Sequence, residues 1–388
     1  MADFFKRCWA QIDLSALDHN FRQIRALSGD AMVMAVVKSD AYGHGAREIT
    51  RRLSDLGVDW FAVAELEEAL ELRSFGITEP ILILGCTPPR YAKVLAENNI
   101  SQNVFSKEYG LALASAAKAD GVSVRVHIKI DVGMGRLGFR AKDDPCDDIA
   151  SVCRSEGILP EGIFMHFPSA DFDGDADGSV SRKQFELFCS VVSRLEELGV
   201  SFAIRHACNS AGILSKPFAR LDLVRAGNIL YGLSPSSQLR DSMDYKPVMR
   251  FVAEITQLKT ILPGDSVSYG MTFEADREMR VATVAAGYAD GFFRSLSNRG
   301  KVMINGRLAP VIGRVCMDQF MVDVTDVTCK VGDRAVLFGC EGLSCEEYAE
   351  CAGTINYEAV CLLNRRVTRV YSDGEKSIAV ESYMRCNL

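Results

Sequence analysis

The sequence predicts an α/β protein with an N-terminal (β/α)8 barrel and a C-terminal mostly-β domain, on three observations. Over most of the first 240 residues, short Val- and Ile-rich apolar runs alternate with charged, helix-periodic stretches. That alternation calls for a parallel sheet with helices covering both faces. The runs number eight, which suits a closed barrel better than an open sheet, a doubly wound sheet being the structural alternative. Beyond about residue 240 the texture changes to short β-favouring runs punctuated by Gly and Asp. A chain of 388 residues accommodates both units, and 48% hydrophobic with 24% charged residues excludes disorder and collagen-like repeats.

The apolar runs lie near Met32–Val37, Trp60–Ala64, Ile81–Leu84, Gln102–Phe105, Val124–Ile130, Gly162–Phe167, Phe202–His206 and Leu223–Arg225. Between them Ser15–Ala26, Ala46–Leu56, Leu66–Ser74, Arg90–Glu97, Lys107–Ala117, Pro145–Ser155 and Ser181–Leu198 read as helices, with Ser15 and Asp18 as a capping pair for the first. Further on, Val252–Leu258, Ser266–Tyr269, Arg280–Ala285, Lys301–Ile304, Pro310–Ile312, Phe320–Val324 and Arg334–Phe338 read as strands. Turns are expected at Pro263-Gly264-Asp265, Asn305-Gly306 and Val331-Gly332-Asp333, and a helix at Ser344–Cys351. The domain boundary is expected near Leu239–Pro247. The barrel then spans residues 1–240 and the β-domain 241–388, with about the first ten residues open to pairing with the second domain.

Composition narrows the partners. A formal net charge of −7 argues against a nucleic-acid or anionic-membrane surface and leaves a small-molecule substrate. The longest apolar run, Ala31–Val37, is far short of the roughly 18 residues that span a bilayer. The opening Met1-Ala-Asp-Phe-Phe-Lys-Arg-Cys-Trp has no extended apolar core of a signal peptide. The 13 cysteines are odd in number, without CxxC pairs or zinc-like spacing to histidine, as expected of packing thiols in a reducing cytoplasm. No catalytic metal is expected. Cys316, beside Met317 and Asp318, is the thiol whose sequence context sets it apart.

Lys38 is the first chemical anomaly, since it ends an apolar run and precedes Ser39-Asp40-Ala41-Tyr42-Gly43-His44-Gly45. At the C-terminal end of a barrel strand, where barrel active sites lie, a partly desolvated lysine is a candidate imine-forming nucleophile. A strand-end lysine snorkelling to water is the plain alternative. The second cluster is Lys129-Ile-Asp131-Val-Gly133-Met-Gly135-Arg136-Leu-Gly138, a glycine-rich loop in which Arg136 could clamp a carboxylate through two parallel hydrogen bonds. Lys129 and His127 alternate in strand and face inward, where two cationic groups need partners or neutralisation. Asn209-Ser210 after the seventh strand and Arg225-Ala-Gly227-Asn228 after the eighth occupy the loops where barrel enzymes bind phosphate. His166 and His206 end strands six and seven and read as a hydrogen-bond network around a ligand. Tyr269 and Tyr288 stand beside glycines in turns, where hairpin filler is the plain reading.

Together these segments resemble the alanine racemases. Ala35-Val-Val-Lys38-Ser-Asp-Ala-Tyr42-Gly-His-Gly, Lys129 through Gly138-Phe, Val267-Ser-Tyr269-Gly, Gly287-Tyr288-Ala-Asp-Gly, Gly313-Arg-Val-Cys-Met317-Asp318 and Gly353-Thr-Ile-Asn-Tyr357-Glu carry the likeness in order. The resemblance implies a cytoplasmic isomerase that interconverts L- and D-alanine with pyridoxal 5'-phosphate, D-alanine being a peptidoglycan precursor. It implies a homodimer with shared active sites. Lys38 would hold the cofactor through an imine and act as base on one face of the substrate, and Tyr269 from the partner subunit would act on the other. Tyr42, Ser210, Gly227, Asn228 and Tyr357 would bind phosphate, and Arg225 would face the pyridine nitrogen with His166 and His206 adjoining. Arg136 and the Met317 backbone would hold the substrate carboxylate, with Tyr288 and Asp318 at the entrance. Lys129 would be carbamylated and orient Arg136.

The chain departs from the family pattern at Asn228, at Met165-His166-Phe-Pro168, and at Cys208, without losing a catalytic group. A serine or broad-specificity racemase is the nearest alternative. A basic-amino-acid decarboxylase relative would carry an acid where Arg225 stands, and a non-catalytic pyridoxal-phosphate carrier would lack the β-domain and Tyr269.

Overall fold

The computed structural model describes residues 7–172, 179–374 and 376–383. Most of the N-terminal stretch read above, and Cys386, lie outside the described residues. The first half contains strands β1 (Cys8–Asp13), β2 (Met32–Val36), β3 (Trp60–Val63), β4 (Ile81–Ile83), β5 (Ile100–Val104), β6 (Val124–Asp131), β7 (Phe139–Arg140), β8 (Ile158–Phe164), β9 (Ile204–His206) and β10 (Leu223–Ala226). Strands β2 to β6 and β8 to β10 pair in parallel and close into an eight-stranded barrel through β5 and β6. The expected (β/α)8 architecture is present. Strands β3 and β4 are buried at every position, as near-continuous apolar runs covered by helices on the outside must be.

The second half is built from β11 (Met249–Ile261), β12 (Ser266–Val267), β13 (Phe273–Glu274), β14 (Met279–Val284), β15 (Lys301–Ile304), β16 (Arg307–Ile312), β17 (Phe320–Asp323), β18 (Arg334–Phe338), β19 (Thr368–Asp373) and β20 (Lys376–Glu381). Its sheet runs β14-β17-β16-β15-β18-β11 and closes where β11 also pairs with β14. The Asn305-Gly306 turn behaves as read: φ values of 48° and 79° join β15 to β16 in a two-residue hairpin. Strand β1 lies in this second sheet, antiparallel to β11 and parallel to β19, so this strand belongs to the second domain although it precedes the barrel in sequence.

Several local readings need correction. The first helix (Leu14–Ser28) is capped by Asp13, whose carboxylate accepts from the amides of Ser15 and Ala16. Asp18 instead pairs with Arg52 at 2.6 Å. The strand expected to reach Tyr269 stops at Val267, and Tyr269–Met271 forms a tight turn. Strands β19 and β20 and the helix Asn356–Cys361 were not anticipated. Among the described residues all twelve cysteines are free thiols, and no helix is long and apolar enough to cross a membrane.

Candidate active site

A pocket of about 800 Å³ opens at the C-terminal ends of the barrel strands, and half-buried Lys38 lines it two residues beyond β2. The backbone after Lys38 adopts a conformation that local propensity disfavours: Ser39, Asp40, Ala41 and Tyr42 have φ between 52° and 55°. A left-handed turn costs L-residues about 1–2 kcal/mol each, so the surroundings must impose it. They do so with side chains. Asp40 accepts from the Ala46 amide at 2.7 Å, and His44 donates from Nδ1 to the carbonyls of Ala41 at 3.0 Å and Tyr42 at 2.8 Å. The Glu68 carboxylate accepts from the amides of Ser39 at 2.6 Å and Ala64 at 2.7 Å, tying together the tops of two neighbouring strands. Nothing in the Glu65-Leu66-Glu67-Glu68 run marks Glu68 for this role.

The turn places Tyr42 beside the end of β10, the strand paired with β2. There the Gly227 amide donates to Ser210 Oγ at 2.9 Å. A Cβ on Gly227 would stand 3.0 Å from the Tyr42 hydroxyl oxygen and 3.5 Å from Ser210 Oγ, so the missing side chain leaves a hollow walled by two hydroxyls. Buried Asn228 follows in sequence, and the ring of Tyr357 lies 6.4 Å from that of Tyr42. Burial holds both phenols above the usual tyrosine range, so they remain neutral donors. A set of neutral hydroxyls around bare backbone is the donor chemistry that receives a phosphate.

Arg225 forms the floor. Its guanidinium donates to the carbonyls of Met165 at 2.8 Å and Ala207 at 2.9 Å, and to His206 Nδ1 at 2.8 Å. Burial lowers it to about 10, which leaves it a cation at neutral pH. His206 sits behind Arg225, outside the pocket lining. His166 is not at a strand end as expected: β8 stops at Phe164, and His166 lies in the following loop with Nε2 3.3 Å from Asn209 Nδ2. Burial, reinforced by the charge of Arg225, drives its pKa well down and keeps the ring neutral.

Lys129 is buried on the pocket wall and donates to the Ile130 carbonyl at 2.8 Å. Burial first, then the charge of Arg225, push it down to about 7. The glycine loop beyond it is shaped by Asp131, which accepts from the amides of Gly133 at 2.9 Å and Met134 at 2.8 Å. Against the upward pull of partial burial, these amides hold its carboxyl below the usual range. The loop's glycines take positive φ, and a Cβ on Gly138 would meet the Asp131 amide at 2.8 Å. The loop presents the exposed Arg136 side chain at the rim.

The remaining candidates are elsewhere. Tyr269 is 73% exposed in the turn after β12, flanked by Ser268 at φ 68° and Met271 at φ 49°. Met317 and Tyr288 are also exposed, and their segments are joined by hydrogen bonds from the Tyr288 amide to the Cys316 carbonyl and from the Ala289 amide to the Met317 carbonyl. Asp318 pairs with Arg366 at 2.7 Å. The structure thus brings the barrel candidates other than His206, together with Tyr357, into one pocket and sets Tyr269, Tyr288, Met317 and Asp318 on a β-domain surface that does not line it.

Comparisons with known proteins agree with this fold. Residues 12–235 match the family description "Alanine racemase, N-terminal domain" and residues 248–371 match "Alanine racemase, C-terminal domain". An alanine racemase of Desulfovibrio desulfuricans is 44% identical over 96% of this chain and its own full length. The solved structure of alanine racemase from Clostridium difficile 630 superposes with a TM-score of 0.93 at 39% identity, covering 99% of this chain and 100% of that one. The Bacillus anthracis alanine racemase, solved with bound L-Ala-P, superposes at 0.91 with 35% identity and 99% coverage of both chains. These relatives define an isomerase of the racemase class. The chain belongs to the alanine racemase family.

Proposed function

We propose that this protein interconverts L- and D-alanine with pyridoxal 5'-phosphate as cofactor, in a homodimer whose sites take Lys38 from one subunit and Tyr269 from the other. The observation that carries the reading is the convergence of Lys38, the hollow at Gly227 and the buried Arg225 in one pocket. Tyr42, Ser210, the backbone at Gly227 and Asn228, and Tyr357 would hold the phosphate. Arg225 would face the ring nitrogen, and since a guanidinium has no acceptor it offers that nitrogen a hydrogen bond without accepting its proton. When bound, the cofactor supplies an electron sink that acidifies the α-hydrogen of an attached amino acid.

The protein's own groups then need to move two protons. Racemisation requires one taken from one face of the α-carbon and one delivered to the other. Lys38 Nζ serves one face. Tyr269 is exposed on a strained turn of the β-domain and does not line this pocket in its own subunit, and that position supports a shared site. After a turnover one group has gained a proton and the other has lost one, so each enantiomer meets the pair in a different protonation state. Arg136 and the Met317 backbone of the partner subunit would hold the carboxylate, with the partner's Tyr288 and Asp318 at the entrance, and His166 adjoins Arg225. Lys129, pushed down to about 7, offers the neutral amine that carbon dioxide requires. Carbamate formation makes an N–C bond and releases a proton, and the resulting anion would orient Arg136. The free thiols fit residence in a reducing cytoplasm.

A chiral assay of the cofactor-loaded protein tests the activity. Enantiomers have equal free energies, so pure L-alanine and pure D-alanine should each relax to the same equal mixture, with L-serine and other amino acids slower. Absence of alanine interconversion would overturn the proposal. Gly227→Ala tests the phosphate hollow separately. Gly227 has φ −114° and ψ −110°, outside the regions that L-residues favour, so the change strains the backbone as well as filling the hollow. It should raise the Kd for pyridoxal phosphate about tenfold, measured by titrating cofactor-free protein, and an unchanged Kd would contradict the placement.

A further inference from the structure

Beneath Arg225 a line of side chains crosses the barrel interior to a carboxylate outside the pocket. His206 Nδ1 is 2.8 Å from Arg225 Nη1, His206 Nε2 is 2.9 Å from His127 Nδ1, and His127 Nε2 is 3.3 Å from Glu161 Oε2. Both imidazoles are fully buried, and the Phe164 ring stacks on His206 with centroids 4.7 Å apart. Glu161 also accepts from the Ser101 hydroxyl and from Arg125 at 3.3 Å.

The direction of every bond in this line follows from its first member. A guanidinium only donates, so His206 Nδ1 must accept and its proton must sit on Nε2. His206 Nε2–H then donates to His127 Nδ1, which places the His127 proton on Nε2, facing Glu161. A second proton on either ring would set N–H against N–H within the line. Among the described residues Arg225 makes no ion pair, and the line ends on the only carboxylate it reaches.

Backbone geometry makes room for this arrangement. Along the β6–β8 pairing, Val126 faces Pro160 but His127 faces Gly162, so Glu161 is the extra residue of a β-bulge. A bulge re-aims a side chain, and here the carboxylate is turned towards His127. A Cβ on Gly162 would stand 2.5 Å from His127 Nδ1, so glycine leaves the space for the ring.

We propose that Glu161 is a positioning residue for the reaction: through His127 and His206 it fixes both imidazole tautomers and holds the Arg225 guanidinium in its orientation towards the cofactor. The proposal rests on the reading that Arg225 faces the cofactor ring. Glu161 itself touches neither cofactor nor substrate.

The test is nitrogen NMR of protein labelled in histidine, recorded with and without pyridoxal phosphate, with His127→Gln and His206→Gln used for assignment. In the unaltered protein both rings should carry their proton on Nε2 and have a pyridine-like Nδ1. Glu161→Leu should change the His127 signal, shift the pH midpoint of the bound cofactor's absorption, and lower kcat about tenfold with a smaller change in KM. Glu161→Gln keeps an acceptor and should recover much of that loss. Protonated Nδ1 on either ring of the unaltered protein overturns the proposal, and that result needs no variant to fold. Signals and absorption unchanged in Glu161→Leu would overturn it as well. Failure of the protein to take up pyridoxal phosphate would instead sink the cofactor reading, while the tautomers of the cofactor-free protein would still decide for or against Glu161.

Discussion

Lys38→Ala should abolish racemisation, with a loss beyond the roughly 10²–10⁴-fold typical of removing one acid/base group, because in the proposed site the same amine also anchors the cofactor. The fold should survive. Lys38 is half-buried, and it precedes the left-handed turn without being part of it, so alanine leaves Ser39–Tyr42 and their side-chain supports in place. Borohydride treatment of the loaded parent protein, followed by peptide mass mapping, should find the reduced cofactor on the peptide containing Lys38. The variant should show no such adduct. Recovery of the label on Lys129, the other lysine of the pocket, would reassign the anchor.

Tyr269→Ala should lower kcat/KM for racemisation about 10²–10⁴-fold, by the same factor in both directions because the equilibrium constant is one, with the asymmetry appearing in hydrogen exchange. Its side chain is 73% exposed within one subunit, so removing it deletes little packing and the effect falls on chemistry. On the proposed reading the phenol serves one face of the α-carbon, so hydrogen exchange from one enantiomer should fall much further than from the other. The comparison is made by following deuterium incorporation from heavy water into L- and D-alanine separately. Equal residual rates would contradict a division of labour between two bases.

The structure shows where local sequence rules suffice and where they stop. The eight barrel runs were readable because a strand covered on both faces must be apolar throughout, and the Asn305-Gly306 hairpin because its backbone demands positive φ at both residues. Lys38 and Arg136 stood out as charged residues at strand ends and glycine loops. The left-handed turn at Ser39–Tyr42 could not be read from propensity, since it is imposed by Asp40, His44 and Glu68. Strand β1 could not be assigned to the second sheet, because its partners are more than 200 residues away. The inward aim of Glu161 depends on a bulge that alternation rules miss by one residue. The roles given to Tyr269, Tyr288, Met317 and Asp318 came from the family resemblance and not from their spacing. In a single subunit these residues occupy a surface of their own.

The most direct test mixes Lys38→Ala protein with Tyr269→Ala protein. Each variant alone has two defective sites, but a mixed dimer has one site lacking both groups and one site lacking neither. Random reassortment of equal amounts should restore about a quarter of the parent activity. Subunit exchange is verified by native mass spectrometry of differently tagged chains. Activity that rises with the mixed-dimer fraction is the predicted result. Verified mixed dimers that remain as inactive as either parent variant would contradict a site built from Lys38 of one subunit and Tyr269 of the other.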